Sequence, residues 1–371
     1  MKICYVETDA RAFISHRKHL GRAALAAGHE VHVIAPGGDP QGELREAGYI
    51  YHPLPLVRGG MNPIAEAGAV WELTRLFRRL RPAVVHNFAI KGVLYGTSAA
   101  RVAGIPAVVG SITGLGYAFM PGGLRRRALT QAVAGALRAA LAGSKVRLIV
   151  QNPDDAAFFF ERGVVTRERL SIVYGSGVDV HEFAPAPEPH GVPVVLLGAR
   201  MLWDKGLGEL VEAVRQLRQR GLSFCCRLLG DPDPQNPTSL SVEQLLLWVK
   251  QGLIEWLPRT HDVAHHLRQA TLACLPSYRE GLPLFLAEAA AAGRACISTD
   301  VPGCRSVVDD GVTGLLVPAR DAGRLAEAIE RLLGDAPLRQ RMGENGRRLA
   351  VERFSKDVVT QQIFAVYESL L

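Results

Sequence analysis

Short apolar runs recur along the chain, separated by longer stretches in which apolar residues return at helical spacing. In the first half the runs are Lys2–Val6, Val31–Ala35, Ala83–His86, Ala107–Gly110, Leu148–Gln151 and Ser171–Tyr174. In the second half they are Val194–Leu197, Cys225–Gly230, Leu272–Leu275, Cys296–Ser298 and Gly314–Val317. A helix is expected near Arg17–Ala27, closed by Gly28, because glycine accepts the left-handed backbone that ends a helix. Strands that alternate with helices predict an α/β chain with parallel, doubly wound sheets. Such sheets bind ligands at the carboxyl ends of their strands. The proline-rich stretch Ala184-Pro-Ala-Pro-Glu-Pro-His190 reads as a linker. It divides the chain into domains at 1–183 and 184–354, with a last helical stretch at 355–371 rich in Val, Ile and Phe.

Composition narrows the class. A length of 371 residues suits two domains, and 48% hydrophobic with 21% charged residues describes a globular protein with sizeable cores. No apolar run is long enough to predict a membrane span. The start, Met1-Lys-Ile-Cys-Tyr-Val, reads as a strand rather than a signal peptide. The cysteines at 4, 225, 226, 274, 296 and 304 show no zinc spacing, and most fall on or beside apolar strands. They read as reduced core residues of a cytoplasmic protein.

Charge is uneven. Residues 1–183 carry 22 Lys and Arg against 14 Asp and Glu, whereas the remainder is close to balance. Part of the excess lies in 124–147, where Arg125, Arg126, Arg127, Arg138, Lys145 and Arg147 occur without an acidic residue. Leu124, Ala128, Leu129, Val133, Leu137 and Leu141 recur there at helical spacing. Two readings stand: an amphipathic helix lying on an anionic membrane surface, or a surface helix packed on its own sheet. Nucleic acid is not expected, because no aromatic interleaving or recognised motif accompanies the charge.

The chemistry concentrates in Ser277-Tyr-Arg-Glu-Gly-Leu-Pro-Leu-Phe-Leu-Ala-Glu288, in which seven residues separate Glu280 from Glu288. Pro283 suits the first turn of a helix. Backbone N–H groups at Gly281 and Leu282 would face an anion there. Glu288 would then lie about 12 Å along that helix from Glu280. Two acceptors flanking an anion site fit a nucleotide-sugar. Taken singly, each Glu could also be a solvated helix residue, but the apolar surroundings of Glu288 argue for a partnered carboxylate. Earlier, Val194-Val-Leu-Leu-Gly-Ala-Arg-Met-Leu-Trp-Asp-Lys-Gly206 sets Arg200 and Lys205 after a buried strand. A guanidinium fork with a mobile ammonium suits a pyrophosphate leaving group.

These motifs resemble the retaining glycosyltransferases of the GT-B fold, carbohydrate-active family four. Three loops extend the likeness: Phe13-Ile-Ser-His-Arg17, Val84-Val-His-Asn-Phe-Ala-Ile-Lys91 and Ser111-Ile-Thr-Gly-Leu-Gly-Tyr-Ala-Phe119. With Ile254-Glu-Trp-Leu-Pro-Arg-Thr-His-Asp-Val263 they resemble the branch that transfers N-acetylhexosamines to polyprenyl-diphosphate-linked sugars. The resemblance covers nearly the whole chain. Pro258 departs from it, standing where many relatives have Gly in a loop near the base.

The resemblance implies two Rossmann-like domains facing across a cleft, with 355–371 packing back on the first. It implies a UDP-sugar donor and no metal. Glu288 would hold ribose hydroxyls, Arg200 and Lys205 the diphosphate, Gly281 and Leu282 its oxygens, and Glu280 the donor sugar. His86 would support catalysis near that sugar. Ser15, His16, Arg17 and Lys91 would meet a polyprenyl-diphosphate-linked acceptor at the inner face of the cytoplasmic membrane. Two other functions are carried beside this one, a UDP-sugar epimerase and a catalytically silent nucleotide-sugar-binding protein.

Other signals lead elsewhere. Asp231-Pro-Asp233 resembles a metal-binding pair, but its proline surroundings predict a turn. Gly114-Leu-Gly116 lacks the third glycine of a dinucleotide site. His265 and His266 are adjacent and cannot share a helix face.

Overall fold

Strand β1 (Lys2–Val6) opens the first sheet, followed by α1 (Ala10–Ala26), β2 (Glu30–Ala35), α2 (Glu43–Glu46), β3 (Ile50–Pro53), α3 (Pro63–Leu80), β4 (Val84–Phe88) and α4 (Ala89–Val102). Then come β5 (Ala107–Ile112), α5 (Leu124–Ala140), β6 (Val146–Val150), α6 (Pro153–Glu161) and β7 (Leu170–Ile172). The computed structural model describes residues 1–55, 62–115, 119 and 123–371. The side chains of Gln41, Pro63, Leu124, Arg125 and Arg126 fall outside that description, as do Gly116, Tyr117 and Ala118 of the expected 111–119 loop.

All seven strands pair in parallel, in the order β3-β2-β1-β4-β5-β6-β7. Direction along the sheet reverses between β1 and β4, so their carboxyl ends flank a crevice where ligands bind in doubly wound folds. The central strands are mostly apolar, as expected where helices cover both faces; every residue of β4 is buried.

The second sheet follows with β8 (Val194–Gly198), α7 (Leu207–Gln219), β9 (Cys225–Leu229), α8 (Val242–Lys250), β10 (Glu255–Leu257), α9 (Val263–Arg268) and β11 (Leu272–Leu275). It is completed by α10 (Leu284–Ala291), β12 (Cys296–Thr299), β13 (Gly314–Val317), α11 (Ala322–Gly334) and α12 (Ala336–Leu349). Its order is β10-β9-β8-β11-β12-β13, again all parallel. The reversal lies between β8 and β11.

Helix α13 (Lys356–Glu368) ends the chain. Residues 1–177 and 357–371 form one compact unit and 178–356 the other. The division falls ahead of the break read from the prolines. Val359, Ile363, Val366, Tyr367 and Leu370 join Ile3, Tyr5, Val33, Val84 and Val109 in one core cluster of the first unit.

Two short strands, β3 and β10, escape the sequence reading. Helix α1 begins seven residues earlier than expected, because the Asp9 carboxylate accepts from the Arg11 N–H and caps it. Phe13, Arg17, Leu20 and Ala24 form its buried stripe. The segment 13–17 is therefore helical rather than a loop. At its other end Gly28 takes φ +74° just past the cap, as its position predicts. The six cysteines are free thiols, five of them buried.

Candidate functional site

In the second unit, the carboxyl ends of β8 and β11 carry the residues singled out from the sequence. Beyond β8 the chain passes Arg200, makes a tight turn over Trp203–Lys205 and enters α7. Gly206 closes this turn at φ +72°, and a Cβ there would lie 2.1 Å from the Pro276 carbonyl oxygen. Only glycine lets Lys205 approach the strand β11 so closely. Lys205 Nζ lies 2.5 Å from Glu280 Oε1. The buried Ser277 hydroxyl is 2.7 Å from the same oxygen and 3.1 Å from the Asp204 carbonyl. Glu280 is held from below as well, its N–H donating to the Pro302 carbonyl. Gly303, at φ +81°, leaves room for that contact, since its Cβ would lie 2.5 Å from the Glu280 carbonyl oxygen.

Helix α10 starts at Leu284, with Pro283 as its cap residue and no side-chain cap. Glu280, Gly281 and Leu282 thus belong to the loop ahead of it. Glu288 lies four residues inside the helix, about 6 Å along its axis, so the expected two-turn separation overstates the helical part. Burial pushes the Glu288 carboxyl up to about 8, reinforced by Glu182 and opposed by Lys356.

Arg200 is half-exposed, and its Nη1 donates to Asp233 Oδ2 at 2.6 Å. Asp231 Oδ1 accepts from the Arg259 N–H, tying the 231–233 turn to the loop after β10. Asp231 and Asp233 thus have partners of their own, and the described residues contain no group of three or more His, Cys, Asp and Glu placed to hold a metal ion.

In the first unit the expected residues separate. Ser15 and His16 are exposed on α1. Arg17 turns inward. It is 6% exposed, donates to Ser176 Oγ at 2.5 Å, lies 3.8 Å from Glu7 Oε1, and sits 4.6 Å over the Phe88 ring. A side chain so enclosed is part of the interior rather than an open acceptor contact. Lys91, in the first turn of α4, pairs with Glu66 Oε1 at 2.5 Å.

His86 is fully buried, with Nδ1 2.6 Å from the Tyr367 hydroxyl and Nε2 2.7 Å from Ser111 Oγ. Burial, with Arg17 adding to it, pulls its pKa well below the ordinary value. Both ring nitrogens are engaged inside the protein. Its expected place beside the donor sugar is corrected to that of an interior residue, stacked 4.1 Å from Phe88 and supporting the surface around it. The sequence placed His86 at a strand end, but β4 runs on to Phe88 and encloses it.

Helix α5 resolves the two readings of the basic segment over most of its length. Ala134, Leu137, Ala140 and the following Leu141 are buried. Arg138 Nε donates to the Gly163 carbonyl at 2.7 Å. Arg147 donates to the Ser144 and Val146 carbonyls. The apolar stripe therefore packs into the first unit's own core, against α4. Arg127 and Lys145 are exposed. Among the described residues no helix is long and apolar enough to cross a membrane.

Several participants were given no role at the site by the sequence. Ser277 and Asp204 brace Glu280 and Lys205, Asp233 meets Arg200, and Glu7, Ser176 and Tyr367 surround Arg17 and His86. Ser277, Asp204 and Asp233 lay within stretches already singled out, whereas Glu7 and Ser176 did not.

Residues 2–152 match the family described as glycosyl transferase 4-like, and residues 181–349 match glycosyl transferases group 1. The N,N'-diacetylbacillosaminyl-diphospho-undecaprenol alpha-1,3-N-acetylgalactosaminyltransferase of Campylobacter jejuni is 25% identical over 384 residues, covering 100% of this chain and 99% of that one. The UDP-Gal:alpha-D-GlcNAc-diphosphoundecaprenol alpha-1,3-galactosyltransferase of Escherichia coli is 24% identical, over 81% of this chain and 79% of that one. Sucrose-phosphate synthase from Thermosynechococcus elongatus superposes with a TM-score of 0.84 at 22% identity, covering 100% and 99% of the two chains. Anabaena HepE in complex with UDP and glucose superposes with a TM-score of 0.78 at 18% identity and full coverage of both. These likenesses identify two parallel-sheet domains of the GT-B type.

Proposed function

We propose that this chain, a glycosyltransferase built from the 4-like and group 1 domains, moves an N-acetylhexosamine or a related sugar from a UDP-sugar to a polyprenyl-diphosphate-linked saccharide. The observation that carries the reading is the Lys205–Glu280 pair braced by Ser277 at the carboxyl end of β11, with Arg200 leaving β8 beside it in the topology. The names of the Campylobacter and Escherichia relatives support the acceptor class, and the UDP bound by HepE supports the donor.

Donor binding exchanges the partners of these groups. The diphosphate takes Lys205 and the outer edge of Arg200. Glu280, freed from Lys205 and still held by Ser277, accepts from hydroxyls of the sugar and fixes its anomeric carbon. Glu288 meets the ribose hydroxyls. The bond from the anomeric carbon to the diphosphate breaks as the bond to the acceptor oxygen forms. The acceptor proton passes to the departing phosphate, on the same face, so configuration is retained. Fixed cations stabilise the charge that develops on the leaving group, commonly the largest catalytic term. No metal is needed in this scheme. Ser15, His16 and Lys91 offer surface contacts to the acceptor, and the exposed cations of 124–147 face an anionic membrane surface, on the inner side of the cytoplasmic membrane.

The test is a panel of UDP-sugars incubated with polyprenyl-diphosphate-linked saccharides in EDTA. Sugar transfer with retained anomeric configuration, undiminished by the chelator, is expected. Loss of turnover in EDTA with rescue by manganese or magnesium would overturn the metal-free scheme. UDP-sugar isomerisation without any acceptor would overturn the transfer reaction itself.

A further inference from the structure

The segment 230–240 is fastened to the segment that carries Arg200 and Lys205 along its length. The Ala199 N–H donates to the Leu229 carbonyl at 3.0 Å, Met201 to Asp231 at 2.9 Å, and Trp203 to Thr238 at 2.8 Å. In return the Leu240 N–H donates to the Met201 carbonyl at 2.9 Å. Thr238 Oγ1 donates to Asp204 Oδ2 at 3.1 Å, next to Lys205. Asp233 sits inside this set of bonds. Its own N–H donates to Ser239 Oγ at 2.9 Å, and its carboxylate receives Arg200 Nη1 at 2.6 Å. A segment that reads as a proline-rich turn is thus a second wall of the β8 end of the sheet.

A guanidinium has five N–H donors in a rigid fork. The contact with Asp233 uses Nη1, and among the described residues Nε and Nη2 have no hydrogen-bond partner, which leaves them as an open edge. An unpinned arginine samples many rotamers and loses that freedom when it grips a ligand. We propose that Asp233 is a positioning residue, holding one edge of Arg200 so that the other meets the leaving diphosphate. This rests on the diphosphate role given to Arg200 above. The pair is partly exposed, at 52% and 26%, so its contribution to folding is small and its effect lies in geometry. The opposing possibility is that Asp233 competes with the diphosphate for Arg200, and the two make opposite predictions.

The experiment is a double-mutant cycle on the full chain, with kcat and KM for the donor and UDP affinity measured for each variant. Asp233→Ala is expected to lower kcat about tenfold, as loss of orientation does. Asp233→Asn, which keeps an acceptor oxygen at the same place, is expected to recover most of that loss. The Arg200→Ala, Asp233→Ala double variant is expected to be no slower than Arg200→Ala alone, because the two act as one unit. A purely structural role would lower the melting temperature of Asp233→Ala and add to the effect of Arg200→Ala, which overturns the proposal. Tighter UDP binding by Asp233→Ala overturns it in favour of competition. Parental turnover by Arg200→Ala removes the diphosphate assignment and the inference together. A slow Arg200→Ala beside a parental Asp233→Ala removes the inference alone.

Discussion

At the scale of residues, Glu288 shows how a location in the chain becomes a chemical property. The Ala-rich run around it signals enclosure, and the structure turns enclosure into a carboxyl pushed up to about 8 by burial, with Glu182 adding to it. Its ordinary value of 4.5 applies in the unfolded chain. Between the two values the native state binds the proton that the unfolded state has lost. This contribution to stability is therefore complete below about 4.5 and lost as pH rises through about 8. Glu288→Gln removes the charge that forms at high pH. Its melting temperature is expected to match the parent near pH 5 and exceed it near pH 9; a gap that does not change with pH would refute the enclosed carboxyl. Lys205 is read out by turnover instead. Lys205→Ala is expected to lower kcat by roughly two to three orders of magnitude, the range for removing a donor to a developing oxyanion, with the fold intact. Turnover within a few-fold of the parent would reject its role. Glu280 and Lys205 were each legible because charged residues beside apolar strands stand out, but their pairing was not. His86 stood out for the same reason and proved to be interior, because one sequence cannot tell a strand's last buried residue from the first exposed one. Tyr367 and Ser111, which make the difference, lie 281 and 25 residues away from it.

Elements were legible where their pattern was long or wholly apolar. Strands β1, β11 and β13 match their apolar runs residue for residue. The edge strands β3 and β10 did not register, since Ile50–Pro53 and Glu255–Leu257 are short and only partly buried. Helix α5 was ambiguous for a physical reason: a stripe of small apolar residues serves a sheet and a bilayer equally well. Its second half is settled by Leu137, which is fully buried. Leu137→Ala is expected to cost about 2–5 kcal/mol of unfolding free energy, the range for truncating a core leucine. A cost near zero in denaturant titration would mean that the stripe is free. The first turn supports a different expectation. Arg125, Arg126 and Arg127 changed together to Glu should abolish flotation with anionic liposomes while leaving the melting temperature unchanged, since basic residues at such a surface contribute about 1 kcal/mol each. Unchanged flotation would leave α5 as an ordinary domain surface.

At the scale of the whole molecule, the chain ends where it began. Two Rossmann-like units follow from alternating strands and helices, and that much is readable from periodicity. Periodicity does not say which unit the last helix joins, because an amphipathic helix fits either. The structure answers with Val359, Ile363, Val366, Tyr367 and Leu370, all buried in the first unit's core beside β1 and β4. Burying each such aliphatic side chain stabilises by about 1.5–3 kcal/mol, against a typical net stability of 5–15 kcal/mol for a protein. Tyr367 adds a polar requirement, since without its hydroxyl Nδ1 of the buried His86 loses its partner, a cost of about 1–3 kcal/mol. Deleting residues 357–371 should therefore unfold the first unit and spare the second, whose sheet and helices lie within 178–356. Hydrogen exchange separates the two. Amides of β1 and β4 should lose protection, while those of β8 and β11 keep it. Retained protection in β1 would show that the first sheet holds without its last helix, and that the return of the chain serves something other than the stability of that unit.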